Sequence, residues 1–232
     1  KSNLSIEDYL SGYDKMLSHF GLESWHVFQT RSVNGPNWKV AYDGYLDLYH
    51  LPVLHKDTFG DSFSNQANYY EWGPHQRAIS PYRLPEQNDF NNDGKDHYEN
   101  AVDDWPLDVL MAGVWTIFPH VSIASFNGGG RSIMLSQLLP GDKPEESVTN
   151  QFYLMEKEPN EEQAKEAHKQ FDLLKYVVET EDYGTGLRLQ KSLKTGLIDH
   201  VMFGRNEGGG QVFHKWVDKI LNTEDSKLPT LF

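Results

Sequence analysis

The chain has 232 residues, 38% of them hydrophobic and 13% aromatic, with a net charge of -13 and no cysteine. That length suits one large domain or two small ones, and the acidic balance argues against nucleic acid or an anionic membrane as a partner, since both need a basic surface. The absence of cysteine excludes disulfides, thiolate zinc sites and any cysteine-held iron–sulfur cluster within these residues. No apolar run approaches the ~20 residues of a membrane span. With no secretory leader at the start, a cytoplasmic protein is expected, and an opening at Lys1 rather than Met suits a fragment.

Residues 1 to 22 read as a helix. Ser5 can cap it with Asp8 three residues on, Tyr9, Tyr13, Met16, Leu17 and Phe20 recur at helical spacing, and Gly21 suits its stop. Residues 24 to 33 are aromatic and β-branched and read as a strand, followed by the turn Asn34-Gly35-Pro36. A second helix begins at Asn37 or Trp38 and should kink or end around Pro52, which lacks an N–H and clashes with the carbonyl four residues back. Asp43, Asp47 and His50 fall on one stripe of that helix. A kink at Pro52 would let His50 and His55 converge, and imidazoles with a carboxylate suit a divalent first-row metal. Two histidines alone would favour surface positions near a helix end.

Residues 56 to 75 read as short strand and loop, and Ser80 to Pro106 as a long acidic excursion. Within it, Asp89 to Gly94 imitates the start of a calcium loop. The twelfth position is Asn100 and the nearest acid, Glu99, comes one early, so a solvated acidic turn is the better reading. From Leu107 the pattern turns to β. Val109 to Phe126 is punctuated by Pro119, and after the turn Gly128-Gly129-Gly130 come strands over Arg131 to Pro140 and Ser147 to Glu158, together an antiparallel sheet. Asn160 caps a long helix from Glu161 to about Glu181, with Phe171, Leu174 and Val178 facing inward. Continuing that stripe puts Glu181 and Asp182 at its edges. A buried carboxylate without a partner is costly, which points to a cation unless the helix frays there. Residues 186 to 195 read as a short helix, 192 to 203 as turn-like, Gly208 to Gly210 as a loop and Gln211 to Leu221 as a closing amphipathic helix. His26, His75, His97, His120, His168, His200 and His214 read as packing or surface residues. The chain carries no internal repeat and no HExxH, GxSxG or phosphate-loop motif.

Asn37-Trp38-Lys39, Asp47, Tyr49-His50 and His55 stand at the spacing found in the catalytic domain of the alpha subunit of Rieske-type non-haem iron aromatic-ring-hydroxylating oxygenases, and the chain resembles that family. A strand ending in Phe-Pro, then one with Gln-Leu-x-Pro, extends the likeness through the sheet, and it covers nearly the whole chain. The resemblance implies an α+β helix-grip fold (START/Bet v 1-like), an antiparallel sheet with helices over one face, forming a single catalytic domain over residues 1-232. It implies a mononuclear Fe(II) bound by His50, His55 and an acid after the long helix. Asp182, ahead of Gln190, takes that place, with Glu181 as the substitute, expected to turn away. Asp47 would link the iron to a Rieske [2Fe-2S] cluster in a neighbouring subunit, and Asp43 would lie behind the metal ligands or in the pocket. The cluster belongs to an N-terminal domain absent from this chain.

The implied function is oxygenation, as mono- or dihydroxylation or demethylation, of an organic, typically aromatic, small molecule with O2. Electrons would come from reductase and ferredoxin donors, in a homotrimer or larger assembly. Two rivals use the same residues: a non-catalytic small-molecule-binding module of the same fold, which would hold no metal, and a zinc-dependent hydrolase.

Overall fold

The computed structural model of the chain describes residues 4–80, 104–198 and 200–232. Its strands are β1 His26–Gly35, β2 Asn68–Trp72, β3 His75–Ile79, β4 Val114–Ile117, β5 Val121–Phe126, β6 Ser132–Pro140 and β7 Ser147–Met155. They form one antiparallel sheet in the order β1-β7-β6-β5-β4-β3-β2. Strands β4 to β7 are neighbours in sequence and in space, as short turns dictate. The long first strand closes the far edge against β7, from His26 opposite Met155 to Gly35 opposite Ser147.

The first predicted helix is two helices, α1 Ile6–Leu10 and α2 Tyr13–Ser18. Ser5 caps α1 as expected, its hydroxyl accepting from the Asp8 amide. Ser11 and Gly12 then take positive φ, and this break turns Tyr13 fully into the core. Next come α3 Trp38–Leu46 and α4 Leu51–Leu54. Leu107–Met111, expected as the start of a strand, is the helix α5. Its Val109, Leu110 and Met111 are all buried, and a short apolar run does not separate a strand from a turn of buried helix. The motif that imitates a calcium loop, residues 89 to 100, lies outside the described residues.

The long helix begins at the predicted place. Asn160 accepts from the Glu162 and Gln163 amides while Gln163 accepts from the Asn160 amide, a reciprocal cap on α6 Glu161–Tyr176. It does not end at residue 181. A π-helical turn, Val177–Asp182, carries it into α7 Tyr183–Lys194, so the two predicted helices are one run. The last helix, α8 Gly208–Leu221, starts inside the expected glycine loop. A Cβ on Gly209 would lie 2.4 Å from the Leu46 carbonyl, and one on Gly210 2.5 Å from the Phe203 ring, so these glycines serve close approach rather than flexibility.

The long helix lies along one face of the sheet, the α+β helix-grip arrangement that the family resemblance implies. Phe171 and Leu174 of α6 pack on Met134, Tyr153 and Met155. Further along, Val178 and Tyr183 join Ala41, Tyr42 and Leu46 of α3, Phe213 of α8, and Val33 and Leu138 of the sheet. The opposite face is covered in part by α2 and α5, with Trp115, Ile123 and Ile133 against Tyr13, Phe20 and Met111. Among the described residues no helix is long and apolar enough to cross a membrane.

The turn between β5 and β6 is the tightest junction between sheet and long helix. Gly129 has φ 79°, and a Cβ there would meet the Gln163 carbonyl at 2.1 Å. Gly129→Ala should therefore cost at least ~2 kcal/mol in a denaturant titration, whereas Gly196→Ala, at φ 70° in open space, should cost about 1 kcal/mol.

Candidate metal centre

Asn37 starts α3 by accepting the Lys39 amide at 2.9 Å, and its own amide donates to Gln190 Oε1 of α7 at 3.1 Å. One asparagine thus sets both the helix start and its distance from the long helix. α3 ends at Leu46, six residues before Pro52. Asp47 is extended, and its Oδ1 accepts the Tyr49 amide at 2.6 Å. The chain reverses there and α4 begins after His50, with Pro52 in its first turn. The expectation of one helix broken around Pro52 is corrected. Pro52 opens a helix, where its missing N–H costs nothing. Asp43, Asp47 and His50 consequently do not form one continuous helical stripe. His50 and His55 flank the single turn of α4 and converge, with ring centroids 5.0 Å apart.

The third group comes from the π-helical turn. Asp182 Oδ1 lies 3.5 Å from His50 Nε2 and 3.2 Å from His55 Nε2, and the two Nε2 atoms are 3.1 Å apart. These are the three residues that offer one ligand atom each within 4.8 Å of one another among the described residues. Ligand atoms about 2.1 Å from one ion, at angles of about 90–110°, stand roughly 3.0–3.4 Å apart. The triangle has that size.

The backs of both rings are engaged. His55 Nδ1 is 2.8 Å from Glu181 Oε2, and His50 Nδ1 is 3.4 Å from Asp47 Oδ2. A carboxylate behind each ring holds the ring proton on Nδ1. Both Nε2 lone pairs and the Asp182 carboxylate then face one point, three acceptors with no proton among them. Such a point calls for a cation. Without a metal, the charge is met by a proton. Burial pushes His50 down, but Asp182 and Asp47 outweigh it and raise it to about 9. Burial pushes Asp182 up, but the two imidazoles outweigh it and hold it below its ordinary value.

The histidines differ in setting. His55 is 2% exposed, with the Phe59 ring 4.9 Å away and Thr58 donating to Glu181 at 3.3 Å. His50 is nearer solvent. It lines a cavity of about 390 Å³ together with Asp43, Asp47 and Asp182, between α3, α7 and residues 201–210. A larger cavity of about 780 Å³ lies on the other side, bounded by Leu51, Phe59 and Phe63 and by Val114, Ala124 and Phe126 of the sheet.

The family described as the ring hydroxylating alpha subunit (catalytic domain) matches residues 22–223. The chain belongs to this family. Ring-hydroxylating oxygenases are oxidoreductases, and the solved structures that share this fold include two kinds. The quaternary ammonium Rieske monooxygenase CntA, in complex with an inhibitor, superposes with a TM-score of 0.67 at 16% identity, over 93% of this chain and 55% of its own. Naphthalene 1,2-dioxygenase from Rhodococcus sp., bound to indole, gives 0.66 at 18% identity, over 95% of this chain and 62% of its own. The chain thus spans little more than half the length of these relatives. No curated protein sequence matches it.

Within this domain the structure brings His50, His55 and Asp182 together and sets Asp47 behind His50. Asp43 does not reach the cluster. It pairs with His214 of α8 at 2.9 Å on the wall of the smaller cavity, and burial, opposed by His214, raises its pKa. His214, read as a packing or surface residue, is therefore the partner of a site-wall carboxylate. Glu181 was expected to turn away and instead holds His55. Sequence spacing missed this because it treats residues 181 and 182 as adjacent points on an α-helical stripe, whereas the π-helical turn sets one acid at each end of the same imidazole. Asp182→Ala should abolish metal retention through dialysis. Glu181→Ala should weaken it by roughly 10–100-fold, and Glu179→Ala should leave it unchanged. Metal content per chain measures all three, and equal retention by Asp182→Ala and wild type would show that Asp182 is not a ligand.

Proposed function

We propose that the chain is the catalytic domain of a terminal oxygenase that hydroxylates or demethylates an organic, typically aromatic, molecule with O2. The observation that carries this is the convergence of three acceptors from His50, His55 and Asp182, with both ring backs held by carboxylates. The donor set fits a mononuclear Fe(II), leaving one side of the ion free. Iron bound there would supply dioxygen binding and reduction; the protein supplies position, electrons and exclusion of water. His50, His55 and Asp182 hold the ion, Glu181 fixes the His55 tautomer, and Phe59 walls His55 from the larger cavity.

That larger cavity, aromatic and aliphatic near Phe59 and Phe63, suits an apolar substrate. The smaller cavity faces outward. Asp47, about a quarter exposed at its side chain, lines it together with exposed Val201 and Met202. An acid in contact with a ligand imidazole, beside an exposed apolar surface, suits a docking place for an electron donor. In this reading the donor is a Rieske [2Fe-2S] cluster of a neighbouring subunit, which makes the working enzyme a homotrimer or larger, reduced through a ferredoxin or reductase.

With no cysteine to hold such a cluster, these 232 residues loaded with Fe(II) should not turn over with NAD(P)H and a reductase. Assembled with the cluster-bearing domain, they should. In that assembly Asp47→Ala should keep its iron and lose at least ~90% of product formation, because Asp47 contacts a ligand rather than the ion. Sustained turnover by the isolated chain would overturn the Rieske assignment, and stoichiometric zinc in place of iron in the active protein would favour hydrolysis.

A further inference from the structure

The cavity assigned to the substrate does not touch the groups that would hold the ion. Among the described residues, Leu48, Leu51, Phe59 and Phe63 bound the larger cavity on the helix side, while His50, His55 and Asp182 do not line it. His50 and Asp182 open onto the smaller cavity instead. A molecule that reacts at the ion from the larger cavity must therefore cross a partition. Leu48 and Leu51, on either side of His50 in the chain, form part of it, and Phe59 forms the rest.

Phe59 is the member of the partition that touches a ligand. Its ring centroid lies 4.9 Å from that of His55, with the planes 36° apart, and the same side chain lines the cavity. His55 is 2% exposed, and the Phe59 ring covers it on the cavity side.

The backbone on both sides of Phe59 is fixed. The amides of Thr58 and Gly60 both donate to the His55 carbonyl, at 2.9 and 2.8 Å. A Cβ on Gly60 would stand 2.3 Å from the Leu51 carbonyl oxygen and 2.8 Å from the His55 carbonyl carbon, so only glycine lets the chain lie this close to α4. Shifting the segment would break both hydrogen bonds. The freedom left to Phe59 is rotation of its side chain between staggered wells. The ring is half-buried, and the space beside it is the cavity of about 780 Å³. Phe63, the other aromatic at that wall, stands edge-on to it at 6.1 Å. Leu48, by contrast, is only 5% exposed and belongs to the packed core.

Turning the Phe59 ring away bares one face of an imidazole. Aromatic rings favour tilted or offset contact with one another. An incoming aromatic ring can therefore take over the contact that Phe59 gives up. An aliphatic molecule of the same size fills the volume without restoring the ring–ring contact, so the exchange favours aromatic occupants.

We propose that Phe59 is a shutter and the specificity-determining side chain of the larger cavity. At rest its ring closes the cavity from the ion; an aromatic molecule displaces the ring by replacing it against His55. The proposal rests on the oxygenase reading above, in which the larger cavity takes the substrate. It gives that reaction an order. Until an aromatic molecule arrives, the ion meets only the smaller cavity, and arrival of the substrate opens the second side.

Two measurements on the chain loaded with Co(II), which accepts the same imidazole and carboxylate ligands, test the shutter. The first puts para-fluorophenylalanine in place of Phe59 and follows the paramagnetic shift of its fluorine. Titration with benzyl alcohol should change that shift by roughly half or more, saturably, because a new rotamer carries the fluorine to a different place relative to the ion. Cyclohexylmethanol, alike in size and polar group but without an aromatic ring, should leave it in place. The second is calorimetry of benzyl alcohol binding to Phe59→Ala. With no ring to displace, this variant should bind roughly three- to tenfold tighter than wild type. A ring that merely lined the cavity would contribute contact, and its removal would weaken binding. A fluorine unmoved at saturating benzyl alcohol, an equal response to cyclohexylmethanol, or weaker binding by Phe59→Ala overturns the shutter and leaves the oxygenase reading standing. If Phe59→Ala does not fold, the fluorine measurement decides alone. A wild-type chain that holds Co(II) but shows no saturable binding of benzyl alcohol overturns the substrate role of the cavity and the shutter with it. A chain that holds no Co(II) overturns the metal centre itself.

Discussion

Three lone pairs aimed at one point repel each other until a positive charge sits among them. His50 Nε2, His55 Nε2 and Asp182 Oδ1 stand 3.1 to 3.5 Å apart in a setting where one ring is almost fully buried. The surrounding architecture keeps them there. Glu181 and Asp47 hold the ring protons on the far side, so neither imidazole can relieve the repulsion by turning a donor inward. The π-helical turn supplies both acids, and the sheet presses that turn against α3 through Val33, Leu138 and Tyr183. A metal-free site meets the need with a proton on His50, which is why its pKa rises to about 9 despite burial.

The two imidazoles divide the site into an inner and an outer side. His55 packs on Phe59, whose ring lines the larger cavity. His50 borders the smaller one, with Asp47 and exposed apolar side chains at its rim. For the proposed oxygenase this separation has a plain physical use. Substrate and electron donor would approach the same ion from different directions, and neither has to leave for the other to bind.

The sheet beneath is not uniform support. Where α6 crosses it, the contact is apolar, through Phe171 and Leu174 against Met134, Tyr153 and Met155. Where α3 crosses it, a cross-strand rung from Gln151 to Gln76 is polar and incompletely paired. The apolar half anchors the long helix.

The sequence by itself determined the strands β1 and β4 to β7, the capped start of the long helix and the histidine pair, because alternation, caps and fixed motif spacing are local properties of the chain. It also pointed to a carboxylate near residue 182, through the inward stripe of Phe171, Leu174 and Val178. Tertiary structure alone decided the rest. The break after Leu46 depends on Asp47 capping the Tyr49 amide, and Pro52 looked the same in sequence whether it kinked a helix or began one. The glycines at 208 to 210 read as a loop until the Leu46 carbonyl lay against them. Glu181 and Asp182 took different roles because the π-helical turn, stabilised by packing and not by propensity, rotated one toward His55 Nδ1 and the other toward both Nε2 atoms. The polar rung was invisible for the same reason. Its members are spread from residue 31 to residue 151, and only strand register places them side by side.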